Sequence, residues 1–326
     1  MNVAEDKPLI LTLGRWFRRN LGYPLRKLSV DAGFTCPNRD GTLSSGGCTF
    51  CDNRSFAVGT RLAGLSITEQ VSRQREQILQ RHPGTRFLVY FQANTNTYAP
   101  VEVLRARYDQ ALTVAGDIDG LAVGTRPDCL DDAAVHLLRS YAGAGRHVWV
   151  ELGLQSIHDH LHADLNRAYG VQAFDDAVHR LAAGHPLHVC AHLIFGLPGE
   201  SWRHMMETVE HVAALPVAGV KFHHLHVVRG TPLEARYRRE RFPLPAIDAY
   251  SGWVADAIQR LRLDMAVQRV CGEAPAEMLV EPSWSCASRR MLGIIERRLV
   301  QRGTRQGTDW LPHGPVHPHG QRPASL

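Results

Sequence analysis

Three cysteines, Cys36, Cys48 and Cys51, share the stretch CPNRDGTLSSGGCTFC. Eleven residues separate the first two and two separate the last two. A Cys-x-x-Cys pair turns two thiolates toward one centre within a single tight turn, and Gly46 and Gly47 let the backbone wrap so that amides face sulfur. Three chemistries fit. A structural zinc ion is a closed site with four protein ligands, so a fourth would have to come from elsewhere, and no Cys/His pair lies nearby. A thioredoxin-like redox pair leaves Cys36 without a role. A [4Fe–4S] cluster held by three thiolates keeps one iron open to a ligand. Among the other cysteines, Cys129 and Cys190 sit in strand or turn contexts that suit small buried apolar side chains. Cys271 and Cys286 are expected to be bystanders.

The elements that must position these thiols form an alternating pattern. Near-continuous apolar runs, the mark of parallel strands buried on both faces, cover 27–32, 86–92, 120–125, 147–154, 188–195 and 219–227. Helical spacing fills 68–80, 101–115, 130–142, 173–183 and 201–215 between them. A βα unit repeated six times predicts an α/β fold, a partial parallel (β/α)6 barrel, with its active site at the C-terminal ends of the strands. The cysteine loop follows the first strand and so falls at that end. Residues 1–20 read as an N-terminal segment, 21–242 as the barrel and 243–301 as a small C-terminal extension. That extension holds a helix over 243–263, a short strand over 264–270 and a basic helix over 288–301. Residues 302–326, rich in Gly, Pro and His, are expected to be a disordered tail.

With 326 residues, 44% of them hydrophobic and 21% charged, the chain can bury a large core. No apolar run reaches the roughly 18 residues that a membrane span requires, and the N-terminal charge order is wrong for a secretion signal. A cytoplasmic protein is expected, and seven cysteines, an odd number, then argue for reduced thiols or metal ligands over disulfides. The formal net charge is +5, with Arg favoured over Lys, which suits phosphate recognition but equally suits a GC-rich genome.

The phrases DAGFTCPNRDGTLSSGGCTFC, YFQANTNTYAPVEVL, VGTRPDCL, WVELGLQS, LNRAYG, HLIFGLPGE and LHVVRGTPL, spread from about residue 20 to 309, resemble the radical-SAM superfamily. More narrowly they resemble its YhcC/YtqA-type group, related to the catalytic subunit of Elongator. The long gap after Cys36 and the aromatic Phe50 fit that group. The resemblance implies a barrel of radical-SAM type in which Cys36, Cys48 and Cys51 ligate three irons of a [4Fe–4S] cluster. The fourth iron would chelate the methionine part of S-adenosylmethionine.

The resemblance also implies cofactor contacts. Gln92 and Asn94 take the place where relatives meet the methionine amino group, without their Gly-Gly-Glu wording. Glu151, Gln155 and Ser156 face the ribose and methionine moieties. Arg167 resembles the arginine that pairs with the methionine carboxylate, while Tyr169 stands where relatives often carry His. His192 and Gly196 belong to an element beside adenine, and Leu225 and Val227 flank adenine through backbone groups. Bland alternatives stay open: a core ion pair for Glu151, a tight turn for Gly196 and Pro198, and an Arg126–Asp128 ion pair in place of a substrate contact.

The implied activity is reductive cleavage of S-adenosylmethionine to a 5′-deoxyadenosyl radical, with an electron from a flavodoxin- or ferredoxin-type donor. The implied target is the C5 side chain of a tRNA wobble uridine. Arg289, Arg290, Arg297, Arg298, Arg302 and Arg305, with Arg236, Arg238, Arg239 and Arg241, offer basic faces for RNA. Two alternatives remain: a radical-SAM enzyme acting on a small metabolite, and a non-catalytic three-cysteine zinc protein that binds RNA.

Overall fold

A computed structural model describes residues 8–52, 64–162, 165–184, 187–285 and 288–311. Cys286 lies outside the described residues. The chain enters through α1 (Leu13–Leu21), then runs β1 (Leu25–Val30), α2 (Ile67–Arg81), β2 (Arg86–Phe91), α3 (Val101–Leu112) and β3 (Ile118–Thr125). It continues with α4 (Asp132–Gly143), β4 (His147–Gln155), the single turn α5 (Asp159–His162), α6 (Val171–Ala182), β5 (His188–Phe195), α7 (Trp202–Ala214) and β6 (Gly219–His224). Beyond these come β7 (Val227–Val228), α8 (Pro232–Glu240), α9 (Ile247–Arg260), β8 (Ala266–Arg269), β9 (Leu279–Glu281) and α10 (Ser288–Arg302).

Strands β1 to β6 lie side by side in chain order, and β8 joins the β6 edge as a seventh parallel strand. The sheet curls into a half-barrel whose two edges approach: Lys27 Nζ on β1 donates to Gln268 Oε1 on β8 at 2.6 Å. The six expected strands are present, and the short strand expected within the extension completes the same sheet. β7 and β9 form a separate antiparallel pair.

Alternate side chains leave a strand on opposite faces, and here each face has its own filling. Leu28, Val89, Val123, Val150, Val189 and Val220 point outward beneath the helices, with Phe174, Val209 and Val254 packed on them. Leu25, Leu88, Ala122, Trp149, Cys190 and Ala266 line the concave face, where Trp16 and Phe17 of α1 pack against them. The Trp16 and Trp149 rings meet edge-on at 5.1 Å. Helix α1 thus plugs the half-barrel at the N-terminal end of its strands. At Gly120 a Cβ would fall 1.9 Å from the His147 carbonyl oxygen, so β3 can approach β4 only without a side chain there.

Three expectations need amending. The N-terminal segment contains α1, whose Thr12 cap accepts from Arg15 N. Helix α8 has only one fully buried side chain, Leu233, and is held by i,i+4 Arg–Glu pairs, so it shows no apolar stripe to read. The tail expected to be disordered from Arg302 is ordered through Leu311, and 312–326 lie outside the described residues. Gln306, 2% exposed, explains that order. Its Oε1 accepts from Leu11 N at 2.8 Å, and its Nε2 donates to the carbonyls of Arg262 and Met265. These bonds span large sequence separations, so local composition carries no sign of them.

Candidate active site

The cysteine loop leaves β1 and is folded by its own backbone. Arg39 N and Asp40 N donate to the Cys36 carbonyl, Gly47 N to the Asn38 carbonyl, and Cys51 N to the Cys48 carbonyl at 2.9 Å. Gly46 and Gly47, both at φ +84°, take a left-handed backbone that most side chains disfavour. At Gly47 a Cβ would also lie 3.0 Å from the Arg39 guanidinium. Asn38 is fully buried and ties the loop to the segment after β4, donating to the Asn166 carbonyl at 2.6 Å. Asn166 returns a bond to the Gly47 carbonyl at 2.8 Å.

Two loop side chains face cysteine sulfurs. Arg39 Nη2 lies 3.4 Å from Cys51 Sγ and donates to the Cys51 carbonyl at 2.7 Å, and Asn38 Nδ2 lies 3.7 Å from Cys48 Sγ. Burial pushes the Cys48 thiol up to about 11, with the Cys51 charge adding to it, and burial raises Cys51, against which Arg39 acts. Deprotonation at neutral pH therefore calls for a metal centre in the loop. Among the described residues no three His, Cys, Asp or Glu side chains gather tightly enough for a single metal ion. Three soft thiolate donors brought by one loop to one cavity fit an iron–sulfur cluster.

The three cysteines form one wall of a cavity of about 190 Å³. Its other walls are the C-terminal ends of β2 to β5, where α/β barrels carry their sites. Gln92 and Asn94 contribute from β2, Arg126 from β3, Glu151 and Gln155 from β4, and His192 from β5, with Tyr90 and Tyr169 closing it. Ala93, Asn94 and Gln155 have positive φ (68°, 58° and 66°), the sort of backbone strain that persists at functional sites. Asn94 also donates to the Phe34 carbonyl at 2.7 Å, joining the β2 end to the cysteine loop.

Five sequence candidates, Gln92, Asn94, Glu151, Gln155 and His192, thus meet on one cavity, and five others are not among its walls. Ser156 is fully buried, its hydroxyl beside Thr208. Arg167 donates to the carbonyls of Gly153 and Leu154 and stacks on Tyr169, holding the end of β4. Gly196, at φ +85°, makes a turn closed by Glu200, which accepts from Gly196 N at 2.8 Å and from Leu197 N. Leu225 and Val227 pack with Leu161, Leu165, Ile194 and Leu233 in a satellite cluster that also holds Phe50.

Glu151 is the electrostatic centre of the half-barrel. It is 1% exposed and accepts from Lys27 and Lys221, and from His192 Nε2 at 2.9 Å. Although burial alone would raise its carboxyl, Lys221 and Lys27 hold it well below the usual range. Burial takes Lys221 down to about 8 and His192 to about 4, so the imidazole is neutral and donates to the carboxylate. The lysines were missed in the sequence; the available signal was a Lys in each of two strands, LRKLSV and GVKFHH. Arg126 binds Asp128 through Nε and Nη2 (2.9 and 2.7 Å), the ion pair that was one of its two readings, yet its buried Nη1 has no partner.

A half-barrel that gathers three cysteines of one loop and the ends of four strands around one cavity fits a class: enzymes that seat a metallocluster beside an organic cofactor. The chain belongs to the radical SAM superfamily, whose family model matches residues 36–212, and residues 217–301 match the Radical_SAM C-terminal domain. It is 37% identical to the uncharacterized protein YtqA of Bacillus subtilis (strain 168) over 299 residues, 91% of each chain. It is 37% identical to the protein YhcC of Escherichia coli (strain K12) over 309 residues, 93% of this chain and 97% of the relative. The solved structure of archaeal Methanocaldococcus infernus Elp3 matches with a TM-score of 0.66 at 17% identity. That match covers 86% of this chain and 64% of the Elp3 chain, a likeness of fold. The chain is therefore a radical SAM enzyme whose cofactors are a [4Fe–4S] cluster and S-adenosylmethionine. Family membership sets aside the non-catalytic zinc reading.

Proposed function

We propose that Cys36, Cys48 and Cys51 hold the cluster, that the adjoining cavity takes S-adenosylmethionine, and that the enzyme modifies the C5 side chain of a tRNA wobble uridine. The convergence of the three thiols with the ends of β2 to β5 on one cavity carries the first two parts. When bound, the two cofactors supply a 5′-deoxyadenosyl radical that takes hydrogen from an unactivated carbon. The chain's own residues position and shield. Arg39 and Asn38 donate toward two of the three sulfurs and offset thiolate charge. Arg126, oriented by Asp128, offers its unpartnered Nη1 to the methionine carboxylate. Arg167, whose Nη atoms donate to the Gly153 and Leu154 carbonyls while its buried Nε has no partner, is the other candidate for that role. Gln92, Asn94 and Gln155 offer side-chain amides to the polar groups of the cofactor.

The tRNA part draws on the family resemblance and on the basic surface. Arg236, Arg238 and Arg239 of α8 are paired with Glu234 and Glu240, and Arg298 and Arg302 with Asp248 and Asp256. Arg289, Arg290, Arg297 and Arg305 are left exposed for phosphate. A flavodoxin- or ferredoxin-type protein supplies the electron. The test is mass spectrometry of tRNA nucleosides from a strain lacking the gene. A changed wobble-uridine profile, restored by the wild-type gene but not by a Cys48→Ala copy, is expected. An unchanged profile overturns the tRNA reading and favours a small metabolite.

A further inference from the structure

The concave face of the half-barrel holds more positive charge than it balances. Arg269 ends β8 and is the ladder partner of Lys221 on β6. Lys27 reaches the same region from β1, bonded to Gln268 and to Glu151. The charge of Arg269 is felt at Tyr90, Cys190, His192, Lys221 and His223, which places it among them. Lys27 and Lys221 thus contact one carboxylate, Glu151, and Arg269 stands beside Lys221 as a third cation. The imidazoles add no negative charge, since burial, with Lys221 or Arg269 next in weight, keeps His192 and His223 neutral.

Arg269 is half-buried beside the buried Lys221, and a cation held partly out of water without a counter-charge is costly; two buried nitrogens, His223 Nε2 and Gln268 Nε2, also lack partners. This region adjoins the cavity through Lys221, which contacts Tyr90 and Glu151. Tyr90, Glu151 and His192 line that cavity, and the His192 and His223 rings stack at 5.9 Å. Arg126 lies on β3, away from β6 and β8, so the anionic end of S-adenosylmethionine seated there leaves this second group unmatched.

We propose that Arg269, Lys221 and His223 form the substrate's anchor, a site for a carboxylate or phosphate oxyanion that holds the reacting carbon toward the cavity. The inference rests on the reading of that cavity as the S-adenosylmethionine site. A substrate without an oxyanion would leave the cations uncompensated, so the anchor selects by charge as well as by shape.

The test is calorimetric titration of the full chain, reconstituted with its cluster, using inorganic phosphate, acetate and uridine 5′-monophosphate as probes. Saturable binding of at least one is expected, weakened about tenfold or more in Arg269→Gln and partly regained in Arg269→Lys. The exposed Arg81→Gln, at the end of α2, serves as a control with unaltered binding. Binding of phosphate and the nucleotide without acetate assigns the oxyanion to a nucleotide, and binding of acetate alone assigns it to a carboxylate. No saturable binding to wild type, or equal binding to Arg269→Gln with its cluster spectrum intact, overturns the anchor. Formation of 5′-deoxyadenosine is assayed on the same samples. Its absence from wild type counts against the reading of the cavity, whereas its presence without anion binding counts against the anchor alone.

Discussion

Lys27 and Lys221 come to Glu151 from strands at opposite flanks of the curled sheet, across 124 and 70 residues of chain. Breaking such a buried group by removing one partner typically costs about 3–5 kcal/mol, because the surviving charges lose their counter-charge. Glu151→Gln should therefore lower unfolding stability by roughly that amount in urea titrations; a change below about 1 kcal/mol would show that the lysines find other partners. Arg39 invites a different measurement. Its N–H and charge favour the more negative, reduced cluster, since hydrogen bonds to sulfur tune the potential. Arg39→Met is expected to bind iron as wild type does but to titrate at a more negative potential in redox experiments followed by electron paramagnetic resonance. An unchanged or more positive potential would refute this role.

Each element of the half-barrel sits where burial of its own residues demands. Helix α1 acts as a plug, with Trp16 and Phe17 filling the closed end of the sheet against Trp149. Removing a large buried aromatic costs about 3–5 kcal/mol, so Trp16→Ala should unfold at markedly lower urea than wild type. An unaltered midpoint would mean the plug is not structural. Gln306→Ala, which leaves Leu11 N and two carbonyls without their partner, should cost about 1–3 kcal/mol in the same titration. The strands were legible in the sequence because parallel strands covered on both sides read as unbroken apolar runs; the 188–195 run matches β5 residue for residue. Helices with an apolar face were equally clear. α8 and the 303–311 segment were not, since i,i+4 ion pairs and distant hydrogen bonds hold them. The site divides the same way. Cysteine spacing and strand-end wording pointed to Cys36, Cys48, Cys51, Gln92, Asn94, Gln155 and His192. The partners of Glu151 and the use of Arg126 depend on which strands the curl brings together, which no local pattern encodes.

At the scale of the whole molecule, several buried histidines stay neutral. Burial takes His162 and His224 to about 3, and His188 and His192 to about 4. Each folded value lies below the unfolded value near 6.5, so the unfolded chain binds protons that the folded chain refuses between the two. Stability thus rises with pH across that window and is lost as pH falls through it, by up to about 1.4 kcal/mol per pH unit for each group. Urea midpoints should fall between about pH 7 and about pH 5.5; a flat profile would mean that these histidines accept protons in place. No helix among the described residues is long and apolar enough to cross a membrane. The account as a whole stands on three thiols and the cavity they face. Reconstituted, reduced protein incubated with S-adenosylmethionine should form 5′-deoxyadenosine, and a variant with Cys36, Cys48 and Cys51 all replaced by Ala should hold no cluster and form none. Wild type that carries a full cluster yet makes no 5′-deoxyadenosine, or a triple variant that still makes it, would contradict the assignment.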